Sequence, residues 1–272
     1  MYRAATIVVI VAVLAMMAAP AMAQTSQTAR TEAMGRSMSA TPNDETAHLT
    51  NPAGLPHLDT FGVGLSPWPV RGSATLTVAS PAGIDYSFGA FAAGKDAAGA
   101  VGWGASVQHT EFDNGDATQW AVGWGGAIDD SGLSAGASLQ HLDAADDATM
   151  MNLGLMYRAH LPLHSWSVGL MANDIFDDRD AGVLMDLGGS MQFEDGATAA
   201  ITIFDITGEV DTVVGIGGEM PIPMSDWIAR AGVFDGDFNI GAGYRWTNFE
   251  AGLTWQDVGD DDIVLITGTG NF

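Results

Sequence analysis

From about Asp59 to the C-terminus, apolar and polar positions alternate in segments separated by Asp- and Gly-rich turns. The clearest segment is FNIGAGYRW at 238–246. Phe238, Ile240, Ala242, Tyr244 and Trp246 share one face, and Asn239, Gly241, Gly243 and Arg245 share the other. The next segment repeats the pattern, with Phe249, Ala251, Leu253 and Trp255 against Glu250, Gly252, Thr254 and Gln256. Thr149, Met151, Leu153, Leu155 and Tyr157 oppose Asn152, Gly154 and Arg158, while Val101, Trp103 and Val107 oppose Gly102, Gly104, Ser106 and Gln108. A period of two predicts strands with two unlike faces.

A soluble sandwich alternates in the same way, so the content of the faces decides. The polar face is mostly Gly, Ser, Asn and Gln, which suits a narrow lumen better than an open solvent face. The apolar face carries aromatics near strand ends (Trp120, Tyr157, Trp166, Trp227, Trp246, Trp255), where an interfacial girdle belongs. Segment lengths match the ~9–11 residues of a tilted crossing. The expected fold is all-β, a transmembrane antiparallel up-and-down barrel of about 14 strands, an even number being usual for such barrels. The first strand is expected at 58–66. The second, 73–92, is overlong and interrupted at Ser80-Pro81-Ala82-Gly83, as a bent strand or as two strands.

Residues 1–23 have one basic residue, an apolar core and an Ala21-Met22-Ala23 end, and read as a secretory signal peptide cut before Gln24. Residues 24–57 are expected to form a flexible leader and an N-terminal plug, and 58–272 the barrel. Downstream of the signal no apolar run approaches the ~18 residues of a spanning helix.

Composition sharpens this. The chain is 47% hydrophobic and 15% charged, which is low in charge for a soluble exported domain. Thirty-three acids face nine Lys and Arg, and Lys95 is the only lysine, so a nucleic-acid partner is disfavoured. Such acidity fits a protein bathed in concentrated salt, where screening weakens self-repulsion. Without cysteine there is neither a lipid-attachment site nor a disulfide framework. With both termini periplasmic, connections after odd strands face outward, and these hold most of the acids. The opposite set has only Asp96, Asp129, Asp130, Glu194, Asp195, Glu219 and Asp226.

By parity, Arg158, Asp186, Arg230, Arg245 and Glu250 point into the lumen. A basic group at the midplane of the lipid face would cost ~2–4 kcal/mol. The expected role of these charges is an ion-pair lattice that fills the lumen and holds the plug; a sharper one is guiding a solute. Gly132-Leu-Ser134-Ala-Gly136 matches G-x-S-x-G but lies inside an alternating strand, without the strand–turn–helix context of a nucleophile. His160 and His164 lack further ligands to complete a zinc set. The Asp clusters at 177–180 and 259–262 lack the spacing of a calcium loop. No enzyme activity, metal or cofactor is expected. Val101→Arg or Leu253→Arg should block membrane assembly, and Gly243→Ser should be tolerated.

The run Asn51-Pro52-Ala53-Gly54-Leu55, the step Ser66-Pro67-Trp68, the strand Trp166–Asn173 and a terminal Phe272 together resemble the FadL/PorV superfamily of outer-membrane β-barrels, with Ser-Pro-Trp most similar to the PorV/PorQ branch. The resemblance implies an N-terminal segment folded into the barrel mouth, residence in the outer membrane of a Gram-negative-type bacterium, and membrane lipid as a partner. It further implies recognition of Phe272 by barrel-assembly machinery, and a role in type IX protein secretion or surface attachment with secreted cargo or secretion-system proteins as partners. Its alternatives are a FadL-like passage for small hydrophobic solutes and a purely structural barrel. Two departures are tight connections throughout and a Gly-rich segment before NPAGL reduced to Ala33-Met34-Gly35. In physical terms Pro52 fixes φ, Gly54 permits a sharp reversal, and Asn51 can bond its own backbone, together turning the segment into the lumen.

Overall fold

In the computed structural model the described residues are 28–41, 44–58, 70–79, 84–96, 98, 100–112, 115–144, 147–176, 182–258 and 261–271. Fourteen antiparallel strands, each paired with its neighbours in the chain, form a closed barrel. They are β1 (Val70–Ala79), β2 (Ile84–Lys95), β3 (Val101–Phe112), β4 (Gly115–Ile128), β5 (Leu133–Asp143), β6 (Ala148–His160) and β7 (His164–Asn173), followed by β8 (Leu184–Phe193), β9 (Thr198–Phe204), β10 (Val213–Pro221), β11 (Trp227–Phe234), β12 (Asp237–Arg245), β13 (Phe249–Val258) and β14 (Asp261–Asn271). The ring closes between β1 and β14, with Arg71 opposite Asn271. Closure leaves no open edge, so every strand's backbone is paired, as a bilayer requires.

The strand total agrees with the sequence expectation, but the division near the N-terminus differs. The segment 73–92 is two strands, β1 and β2, which pair as a hairpin with Thr77 opposite Ser87. A single strand of that length would overshoot the membrane about twofold. The ring is complete without the expected strand at 58–66, of which 59–66 lie outside the described residues, as do the signal peptide, Ser66-Pro67-Trp68, 177–181 and Phe272. From β3 onward the strand numbering coincides, so the described acids keep the barrel end expected for them, although Glu111, Asp116, Asp143, Asp237, Asp257, Asp261 and Asp262 lie in the end residues of strands rather than in the connections, and Glu219 lies within β10.

The two faces separate as the alternation requires. Val101 and Leu253 each stay 51% exposed on the outside, whereas Asn152, Asn239 and Thr254 are buried inside. At the end carrying the even-numbered connections, Trp227, Tyr244, Trp246 and Phe249 form a run of ring contacts 4.6–5.6 Å apart, and Tyr157 meets Trp166 at 5.4 Å. Such a run suits a membrane interface. Trp120 instead lies inside β4, its ring 5.2 Å from that of His141.

The opposite, acid-rich end shows why Asp is used there. Asp174, Asp205 and Asp235 directly follow β7, β9 and β11 with φ of 53°, 50° and 53°, a left-handed conformation that Asp tolerates better than most residues. The Asp174 N–H donates to Asn152 Oδ1 at 2.9 Å, and the Asp205 N–H to Asp186 Oδ1 at 3.0 Å. These acids are turn-builders, Asp174 and Asp205 buried and Asp235 exposed.

The N-terminal segment occupies the inside of the ring. It comprises α1 (Ala29–Ala33), α2 (Ala47–Thr50) and a 3₁₀ helix at Pro52–His57. Helices this short are not stable alone; they persist because the wall covers them. Composition reads residues 24–47 as mostly flexible; within 28–41 and 44–47, Ala33, Met34, Met38 and Ala47 are fully buried against the wall.

Candidate functional site: the plugged lumen

The Asn-Pro-Ala-Gly-Leu run is the start of the 3₁₀ helix. Asn51 Oδ1 accepts the Ala53 N–H at 3.1 Å, which caps the helix, and Pro52 occupies its first position, where no donor is needed. The other half of the Asn51 amide holds two partners together: Nδ2 donates to Ser39 O at 2.8 Å and to Leu155 O, on the wall, at 3.3 Å. Gly54 is not among the residues with positive φ, and its N–H donates to Asn51 O at 2.9 Å. Its expected reversal is thus replaced by a helical turn, and Ala53 and Leu55 are fully buried beside it.

The inward glycines of the strands are the socket for this segment. A Cβ on Gly104 would lie 2.6 Å from His48 Nδ1, one on Gly136 2.6 Å from Ala53 N, and one on Gly188 2.8 Å from Ala40 N. On the far wall, a Cβ on Gly217 would lie 2.7 Å from Met34 Cα. At Gly136, Gly188 and Gly217 the backbone of the plug rests directly on the backbone of the wall, and at Gly104 the His48 ring takes the place of a side chain. Wall hydroxyls then satisfy the plug's peptide groups. Ser134 Oγ donates to Ala53 O at 2.7 Å, Ser167 Oγ to Ala40 O at 2.6 Å and Thr254 Oγ1 to Ala29 O at 2.5 Å, while Thr267 Oγ1 accepts the Ala29 N–H at 2.8 Å. Buried peptide groups need such partners. Ser134, the centre of the G-x-S-x-G match, is therefore an anchor within β5.

Charge makes the second set of contacts. The Arg30 guanidinium of the plug binds Glu219 of β10 with two nitrogens, at 2.6 and 3.0 Å, and Asp44 of the plug at 2.7 Å. Glu219 also accepts from Arg230 Nε at 3.1 Å; Arg230 reaches Glu250 at 2.5 Å, and Arg245 reaches Glu250 at 2.9 Å. Six charged groups thus form one chain from the plug into β10–β13. A further pair joins Arg71 of β1 to Glu45 of the plug. Planar guanidinium groups suit such two-pronged contacts.

Of the five charges picked by parity, the structure brings Arg230, Arg245 and Glu250 together and leaves two elsewhere. Arg158 donates to Gln192 Oε1 at 2.6 Å, and Asp186 accepts from Asn173 Nδ2 at 2.7 Å. Arg30, Asp44, Glu45, Arg71 and Glu219 were not picked. Arg71 and Glu219 also have inward parity, but each sits at the margin of an expected strand. The plug's charges lie in a polar stretch with no periodicity to place them.

Little space remains beside the plug in two places. A cavity of about 10 Å³, enough for one water, lies against Ala40, His57 and Arg158. A larger one of about 70 Å³ lies near the acid-rich end, between the plug and β7–β11.

The geometry defines a class: a closed transmembrane-type β-barrel stoppered from within by its own N-terminal segment. No family model and no curated protein sequence matches the chain. Solved structures do share the fold. A TodX mutant, a monoaromatic hydrocarbon channel, aligns with a TM-score of 0.53 at 12% identity over 90% of this chain and 98% of that one. The Acinetobacter baumannii outer membrane protein Omp33 aligns with a TM-score of 0.50 at 11% identity over 79% of this chain and all of that one. The chain therefore has the fold of outer-membrane β-barrel channels.

Proposed function

We propose that the protein resides in an outer membrane as a channel-type barrel that its N-terminal segment holds shut, and that passage requires this segment to shift. The observation that carries this reading is the double clasp of the plug: backbone seated on lumen glycines, and Arg30 tied to Glu219 in the wall. A filled, ion-paired lumen does not conduct. A clasp made of charge pairs and hydroxyl contacts, with no covalent link, can still be undone by a solute or partner that competes for the same groups. The apolar outer face and the fold shared with channels support the membrane setting.

The passage reading is preferred over docking of secreted cargo. The docking reading rests on the resemblance of Ser66-Pro67-Trp68 to the PorV/PorQ branch, and those residues lie outside the described part of the chain. Planar-bilayer recording separates them. The intact protein should be electrically silent, and deletion of residues 24–50 should give steady conductance. Conductance unchanged by that deletion would remove the plug role. A barrel that stays silent after it, and that binds secreted protein, would favour docking.

A further inference from the structure

The cavity of about 70 Å³ near the acid-rich end has a lining chemistry of its own. One side is apolar, formed by Leu49 of the plug with Met171, Leu184, Phe204 and Phe234 of the wall. The other is polar and rich in acceptors. Asn173 is 1% exposed, and its Oδ1 accepts no hydrogen bond among the described residues, although its Nδ2 is engaged by Asp186. Asp186 takes one hydrogen bond on each carboxylate oxygen, from Asn173 Nδ2 and from the Asp205 N–H, and each oxygen has a further lone pair. Thr50 Oγ1 is already a donor to Thr46 O at 3.4 Å, so its oxygen can only accept from a ligand. Asp211, exposed at the mouth, adds a third carboxylate beside Asp186 and Asp205.

The charges facing this space are unequal. Arg36 is the one cation among its described lining residues, and its guanidinium is already committed to Glu32 at 2.8 Å and to the face of Phe234 at 4.5 Å. Asp205 is committed too, holding Thr207 and the Gly208 and Val210 N–H groups of its own connection. That leaves Asp186 and the Asn173 carbonyl facing an apolar wall. A buried acceptor without a donor costs about 1–3 kcal/mol, so a donor-rich group is favoured there. The volume is about seven times that of the one-water cavity beside His57, which admits a ligand of a few heavy atoms.

From this we infer that the cavity is a binding site for a small organic ammonium ion carrying a short alkyl chain, its N–H groups on Asn173 Oδ1 and Asp186 and its chain against Phe204 and Leu49. An ammonium offers three donors and a positive charge, and the alkyl chain uses the wall that a bare metal ion would leave unmatched. An anion meets the wrong sign, and a neutral alcohol supplies one donor and no charge. The site does not depend on whether the lumen ever opens.

The test is isothermal titration of the refolded full chain in non-ionic detergent at fixed ionic strength, with n-butylammonium chloride as the probe and n-butanol, sodium butyrate and sodium chloride as comparators. Expected is saturable, one-to-one binding of butylammonium at least tenfold tighter than of any comparator. Asn173→Leu removes the acceptor at similar volume and should weaken binding at least tenfold, as should Asp186→Asn. Far-ultraviolet circular dichroism of both variants should match the parent; if Asp186→Asn does not refold, Asn173→Leu decides alone, and the same protein in the same micelles accounts for partition of the probe into detergent. Equal binding of butanol or butyrate would overturn the inference. So would full displacement by sodium at equal concentration, which would mark an inorganic cation site, and so would unchanged affinity in Asn173→Leu or no saturable binding.

Discussion

A Cβ on Gly243 would stand 2.7 Å from Arg230 Nη1 and 2.9 Å from Glu250 Oε1, inside the ion-pair chain. Alternation alone marks Gly243 as a lumen position where a small polar residue should be harmless, and Gly243→Ser was expected to be tolerated on that ground. The structure weighs against that expectation, because an added group meets the ends of Arg230 and Glu250, which are tied to each other and would have to shift. Gly243→Ser should destabilise the refolded protein by about 1–3 kcal/mol, as overpacking does. Arg230→Ala should cost more, about 3–5 kcal/mol, because it leaves Glu219 and Glu250 buried with fewer partners. Urea titration in detergent, followed by tryptophan fluorescence, measures both. Equal midpoints for Gly243→Ser and the parent would show that the pair moves aside easily. The face of each residue was legible in the sequence, since parity needs only the residue's own strand. What lies opposite it was not, since that depends on the path of a separate segment across the lumen.

Strands and plug were unequally legible, for a physical reason. A strand between lipid and lumen must alternate, so β3, β6, β12 and β13 can be read directly. Val101→Arg and Leu253→Arg test that reading: each places a charge on the lipid face at ~2–4 kcal/mol near the midplane and should sharply reduce the fraction of protein that inserts into vesicles. Gln119→Asn, on the inner face of β4, should insert normally; equal insertion of all three would contradict the assignment of faces. The hairpin β1–β2 was only partly legible, because the interruption Ser80-Pro81-Ala82-Gly83 in the sequence is compatible with a bent strand as well as with two strands. The packing of the plug was not legible, because the small polar residues at 24–47 normally mean solvation by water. Here the solvating groups are Thr254, Thr267, Ser167 and Glu219 of the wall, and composition cannot distinguish those from solvent. Glu219→Gln should loosen the plug without disturbing the ring. The expected result is faster proteolysis within residues 28–58 by a protease added to the refolded protein, with the barrel core resistant.

At the scale of the whole molecule, charge is sorted into two zones that predict how an opened pore would select ions. The described charges on the plug are Arg30, Glu32, Arg36, Asp44 and Glu45, a net excess of acid. Those along the inner face of the strands, apart from the acids at the acid-rich end (Asp237 in β12, and Asp174 and Asp205 directly after β7 and β9), are Arg71, Lys95, Arg158, Asp186, Glu219, Arg230, Arg245 and Glu250, five basic and three acidic. Plug and wall are thus complementary, while the rim at the odd-numbered connections is strongly acidic. Removing residues 24–50 exposes a basic lumen behind an acidic mouth. At about 0.1 M salt the screening length, roughly 10 Å, lets the rim act across the entrance, and the truncated pore should favour cations. At about 1 M the length falls to ~3 Å, so only charges lining the narrow lumen are felt, and preference should shrink or turn toward anions. Reversal potentials across a KCl gradient at the two mean concentrations measure this. A cation preference that does not fall with salt would place the selecting charges in the lumen and contradict the division into an acidic mouth and a basic wall.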